Sequence, residues 1–111
     1  MHAMTIDPTK EGREHAAASL RRLETVLIAH GFTVEVEVKF WQVLVCAAAE
    51  KLVPVRSQRV QLAPDPTGAL NWYFVLPAPA DELPDLELIC AEDAVSEAVE
   101  IIAGAMGRVI R

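Results

Sequence analysis

One stretch, residues 59–76 (RVQLAPDPTGALNWYFVL), restricts the possible folds more than any other. Asp65-Pro66-Thr67-Gly68 at its centre is a turn sequence. Asp accepts from the backbone at the first position, Pro pre-sets φ at the second, and Gly closes the turn. Val60 and Leu62 alternate with polar neighbours before it; Leu70, Trp72, Phe74 and Leu76 alternate after it. Period-two alternation on both sides of a tight turn predicts an antiparallel strand pair, at about 57–63 and 69–76.

The rest of the chain supplies elements to pack on that hairpin. Asp7-Pro8 reads as a helix opening, with Asp as N-cap and Pro in the first turn. Ala16, Leu20, Leu23 and Leu27 follow on one helical face, and Gly31 with Phe32 forms a stop signal, so a helix is expected at about 8–30. Residues 1–6 are expected to fray. Val34, Val36, Val38 and Phe40 then alternate with Glu35, Glu37 and Lys39, as in a half-buried strand whose charged row suits a protected edge. Residues 41–53 satisfy both periods. The clustered valines favour a strand and the alanines a helix, with no Gly or Asn to mark a turn near Trp41-Gln42. A connection is expected at 50–56. Pro77-Ala78-Pro79 stops the second hairpin strand and opens a Pro- and acid-rich loop at 77–85. Leu86, Leu88 and Ile89 form either a short strand or a docking segment. A final helix starts near Glu92-Asp93, with Val95, Ala98, Val99, Ile102, Ala105, Met106 and Val109 as its apolar stripe. Gly104 and Gly107 lie where the last turn frays or packs closely. The expected fold is a single α+β domain of order α-β-β-β-β-α, an antiparallel four-stranded meander with two helices packed on one face.

The segment RVQLAPDPTGALNWYFV, the Pro-rich acidic loop after it and DAVSEAVEII at 93–102 together resemble a group of small uncharacterised actinobacterial proteins. These begin with a Leu/Arg-rich helix and a short strand pair, and are commonly encoded beside helix-turn-helix regulators. The resemblance covers about two-thirds of the chain and its marks are turn and core residues. It implies strand for 43–48 and a regulator as a partner, and carries over no catalytic residue.

Charge is segregated. From Val60 to Gly107 there is no Lys or Arg, while Asp65, Asp81, Glu82, Asp85, Glu87, Glu92, Asp93, Glu97 and Glu100 all fall there, and the whole chain carries −6. That balance argues against sequence-independent nucleic-acid binding and against an anionic membrane surface. It favours a basic protein partner, with Asp81, Glu82, Asp85, Glu87, Glu92 and Asp93 as the docking acids. An ordinary solvated face is the plainer reading of the same residues. No apolar h-region and no membrane-length apolar run is present, so a cytoplasmic location is expected.

Chemistry-bearing patterns are missing. Cys46 and Cys90 lack metal or redox spacing and read as small reduced apolar residues. His2, His15 and His30 share no spacing with them. Pro84 and the leucines at 83 and 86 interrupt the acids of 81–87, against a calcium loop. Ser19, Ser57 and Ser96 have no elbow motif, and no Gly-rich phosphate loop exists. No catalytic residue, metal or cofactor is therefore assigned, and the chain is expected not to be an enzyme. Trp72, Tyr73 and Phe74 are consecutive, so at least one large ring must turn from the core; with Trp41 these are the candidate interface anchors. The leading expectation is a homodimeric interaction module binding a protein partner through an acidic and aromatic surface. The alternative is a small-molecule binder with a pocket between sheet and helices lined by Trp41, Trp72 and Phe74, where Arg59, Gln61 and Asn71 would be the polar groups.

Overall fold

The computed structural model describes residue 6, residues 8–46 and residues 57–107. Helix α1 spans Lys10–Ala29, strand β1 Thr33–Glu37, β2 Gln42–Cys46, β3 Ser57–Pro64, β4 Leu70–Val75, β5 Leu86–Ala91, and helix α2 Val95–Ala105. The strands form one antiparallel sheet in the order β1-β2-β3-β4-β5. The class is α+β, but the sheet has five strands rather than four. The segment around Leu86–Ile89 is the fifth, closing the meander on its far edge. The connection at 50–56 and the ambiguous residues 47–53 lie outside the described residues; the part of that ambiguity that is described, 42–46, is strand.

Helix α1 starts later than Asp7-Pro8 suggested. Thr9 is the N-cap, its side chain accepting from Gly12 N at 3.1 Å. A hydroxyl placed three residues before an unpaired helix N–H meets the same need as the carboxylate of Asp7 would. The C-terminus follows the expected stop. Gly31 has φ +90, and Phe32 N donates to Leu27 O at 3.1 Å, the long bond of a Schellman ending. Ala16, Leu20, Leu23 and Leu27 are all fully buried. Ile6, expected within a frayed end, is buried in the same cluster, and residues 1–5 lie outside the described residues.

The alternation after α1 breaks earlier than the letters imply. Val38–Phe40 form a 3-10 turn, leaving Val38 and Phe40 exposed instead of continuing the inward row. Trp41 then adopts φ +54, the left-handed region that costs a bulky residue about 1–3 kcal/mol. This is how the chain reverses between β1 and β2 without a glycine. Packing of the ring against the core offsets the cost, and Trp41 O accepts from Leu62 N at 2.9 Å.

The central hairpin is as its turn sequence dictates. Gly68 N donates to Asp65 O at 2.9 Å and Asp65 N to Ala69 O at 2.8 Å, with Gly68 at φ +89. Open space surrounds the position of a Cβ at Gly68, so glycine is needed there for its backbone angle alone. Asp65 Oδ1 accepts from Thr67 N at 2.8 Å, Ala69 N at 3.2 Å and the Thr67 hydroxyl, while Oδ2 accepts from Asn71 Nδ2 at 3.1 Å. The Thr67 hydroxyl, with Asn71 and the two backbone amides behind it, holds the Asp65 carboxyl below its ordinary pKa. A lowered folded-state pKa stabilises the fold above the unfolded value of about 3.9 and loses that contribution as pH falls through the folded value. Acid should therefore erode wild-type stability more than that of Asp65→Ala below about pH 4, with the variant less stable at neutral pH. Parallel pH profiles in urea titrations would contradict this.

Alternation sorts the sheet into two faces. Val43, Val45, Val60, Leu62, Trp72 and Phe74 are buried and join α1 and α2 residues, among them Leu20, Leu23, Ala98, Val99 and Ile102, in one cluster. The β4–β5 ladder shifts register between Trp72 and Tyr73. Ile89 and Cys90 are both buried there, as a bulge permits when two residues oppose one. Within α2, Ala105 is exposed and Ala103 is buried, and Val109 lies outside the described residues. Gly104 is exposed with nothing near it, so no close packing explains it. Gly107, at φ +75, ends the helix.

Candidate functional site

Cross-strand register lines up one row on the face opposite the core. Glu37 pairs with Gln42, Gln42 with Gln61, Gln61 with Tyr73, and Tyr73 with Leu88. The row is polar at the β1 end and apolar at the β5 end. Arg59 Nη1 donates to Glu37 Oε1 at 3.0 Å and to Gln42 Oε1 at 3.1 Å, and Gln42 Nε2 donates to Gln61 Oε1 at 2.9 Å. The Arg59 and Glu37 side chains are 37% and 35% exposed, so this ion pair contributes no more than about 1 kcal/mol. Its effect is to hold three strands' polar side chains in one fixed fence. Beyond the fence the face becomes Tyr73, Val75, Leu86 and Leu88.

The 77–85 loop leaves and re-enters the sheet at one point, where Leu76 N donates to Asp85 O at 2.9 Å. Two clefts flank it. One, of about 480 Å³, is lined by residues including Gln42, Leu44, Arg59, Val75, Pro77 and Pro84. The other, of about 460 Å³, lies among Ala63, Pro64, Tyr73, Leu83, Asp85 and Leu86. The loop's own side chains are exposed. Leu83 is 84%, Leu88 62% and Leu86 40% exposed, beside exposed Asp81, Glu82, Asp85 and Glu87.

Several anticipated site residues stand elsewhere. Trp72 is fully buried and Phe74 is 8% exposed, so neither anchors a surface. Odd-even alternation puts both on the core side, and only Tyr73, between them, turns outward. Trp41 is half-buried against the core at the β1–β2 turn. Trp72 and Phe74 therefore belong to packed interior, and the two clefts open near Arg59 and Tyr73 instead. Arg59 and Gln61 belong to the polar fence, and Asn71 braces Asp65.

Glu92 is also not a free docking acid. It joins β5 to α2 and binds in four directions. Its N–H donates to Leu70 O at 3.1 Å and its carbonyl accepts from Trp72 Nε1 at 3.0 Å. Its Oε2 accepts from the Ser19 hydroxyl and lies 2.8 Å from His15 Nε2. Ser19 is 2% exposed on α1, four residues after His15, so one carboxylate pins the first helix to the start of the second. Asp93, beside it, is exposed. Ser, His and Glu thus meet in space, a grouping hidden in the sequence because Glu92 lies 73 residues from Ser19. The only trace was a serine inside an apolar helical stripe. The geometry is not that of an activated nucleophile, because the hydroxyl donates to the carboxylate rather than to the imidazole.

Both cysteines are free. Burial pushes the Cys90 thiol above its ordinary pKa, with Glu97 and Asp93 adding to the shift, which disfavours the reactive thiolate. Among the described residues no three His, Cys, Asp or Glu side chains are grouped to hold a metal ion, and no helix is long and apolar enough to cross a membrane. Comparison with protein-family models, with curated proteins and with solved structures finds no match to this chain.

Proposed function

We propose that this chain is a small non-enzymatic interaction module of the cytoplasm that docks a basic protein surface, with a transcriptional regulator as the candidate partner. In this reading both helices close the sheet face that carries Trp72 and Phe74, and the face carrying Tyr73 is left to the partner. The observation that carries it is the run of exposed Leu83, Leu86 and Leu88 beside exposed Asp81, Glu82 and Asp85, with exposed Glu87 on the other side of the same strand. Single exposed leucines are ordinary, but a cluster rimmed by one sign of charge has the composition of a docking patch.

Immobilised protein is expected to capture its partner from cell lysate at about 0.1 M salt and release it near 1 M, as the Debye length falls from about 10 to about 3 Å. The double reversal Asp81→Lys with Asp85→Lys should abolish capture and leave the far-UV spectrum unchanged. Capture that survives both treatments removes acidic docking. Homodimerisation belongs to the same reading, supported by Phe40, which is 54% exposed in the half of the chain where basic and acidic residues nearly balance. A clean monomer in sedimentation at tens of micromolar ends that part.

A small ligand beside Arg59 is the second reading. It is favoured by the volume of that cleft, about 480 Å³, which is within the range of ligand sites. A metabolite whose binding is lost in Arg59→Met would support it; no binder among cell metabolites would discard it.

A further inference from the structure

We propose that the partner docks by adding an extended, basic strand to β5, an inference that rests on the acidic-docking reading above. Among the described strands β5 pairs with β4 alone and ends the sheet. Its free side therefore presents the alternate N–H and C=O groups that β4 does not use. Neither edge strand contains Lys or Pro, and each is contacted by a helix, β1 by α1 and β5 by α2. What sets β5 apart is the exposed pair Leu86 and Leu88 on its outer face, where β1 carries Glu35 and Glu37.

Register fixes what the added strand must look like. Leu86 pairs with Val75 and Leu88 with Tyr73, so both leucines lie on the face away from the core, at 40% and 62% exposed. Glu87 pairs with Phe74 and points to the other side, where it is exposed. An incoming strand therefore meets apolar, acidic, apolar in succession, and its complement alternates apolar residues with Lys or Arg. Asp81, Glu82 and Asp85 in the adjoining loop extend the field that attracts such a strand.

Charge also selects the occupant. A second copy pairing β5 to β5 would bring two sets of Asp85 and Glu87 together, between chains that each carry −6. Like charges across an interface are costly, whereas a cationic strand neutralises them.

The test uses a short alternating Lys/Val peptide and its analogue N-methylated at every second residue, which keeps charge and side chains but removes main-chain donors. Fluorescence anisotropy at low salt should show the parent binding, and the analogue weakened about ten- to hundredfold through two or three lost main-chain bonds. Leu88→Lys in the protein should weaken the parent peptide at least about tenfold without changing the unfolding midpoint, since its side chain lies mostly in solvent. Equal, salt-sensitive binding of both peptides overturns strand addition and leaves acidic docking standing. Failure of both to bind, while lysate capture remains salt-labile, also rejects strand addition alone. Failure of both together with salt-insensitive capture rejects both readings. A dimer that Leu88→Lys dissociates assigns the edge to a second copy and overturns the proposal.

Discussion

Trp72→Ala is expected to remove about 3–5 kcal/mol of stability, a large share of the roughly 5–15 kcal/mol a domain possesses. Trp72 is the largest fully buried side chain and sits in the middle of β4, where Leu62 and Cys90 pair with it on either side. Truncation leaves a cavity in the buried cluster. It also leaves the Glu92 carbonyl without the indole donor at 3.0 Å. Trp72→Phe should separate the two effects, keeping most of the apolar volume while losing the hydrogen bond, and should cost clearly less than Trp72→Ala. Urea titration followed by far-UV circular dichroism reads both. A loss below about 1 kcal/mol for the alanine variant would contradict the burial on which the whole architecture depends.

Glu92→Leu should cost about 1.5–3 kcal/mol. It takes the acceptor away from the Ser19 hydroxyl, which is 2% exposed. Removing both polar partners should be milder than removing one. The double variant Glu92→Leu with Ser19→Ala is therefore expected to recover part of the loss, because no buried donor is left unmatched. Simple additivity of the two substitutions would show that the contact between helix and junction carries no coupling energy. His15→Ala, at a side chain 62% exposed, should cost far less than either.

These two residues also mark what was legible in the sequence. Turn chemistry and period-two alternation are local, so the Asp65–Gly68 hairpin, both helices and the inward stripe of α1 could be read directly. The β1–β2 reversal could not, because Trp41 bends the chain in a conformation that its residue type disfavours and that ring packing and backbone hydrogen bonds to Val38 and Leu62 accompany. The fifth strand was ambiguous because the bulge at Ile89-Cys90 puts two neighbours on one side and breaks the alternation. The aromatic triplet gave the right arithmetic without saying which ring: of the three candidates Tyr73 turns outward, while Trp72 and Phe74 fill the interior. Glu92 looked like one more surface acid because its partners on α1 are distant in sequence and near only in the fold.

The proposed docking surface depends on the β4–β5 side of the outer face and its acidic loop being where a partner sits. Backbone amide chemical-shift mapping of the isotope-labelled protein, titrated with the alternating Lys/Val peptide, tests that most directly. The account predicts shifts at Tyr73, Asp81–Leu88 and the rest of β5, with α1 and α2 unmoved. Shifts centred on the exposed side of α1, with β5 unmoved, would contradict it.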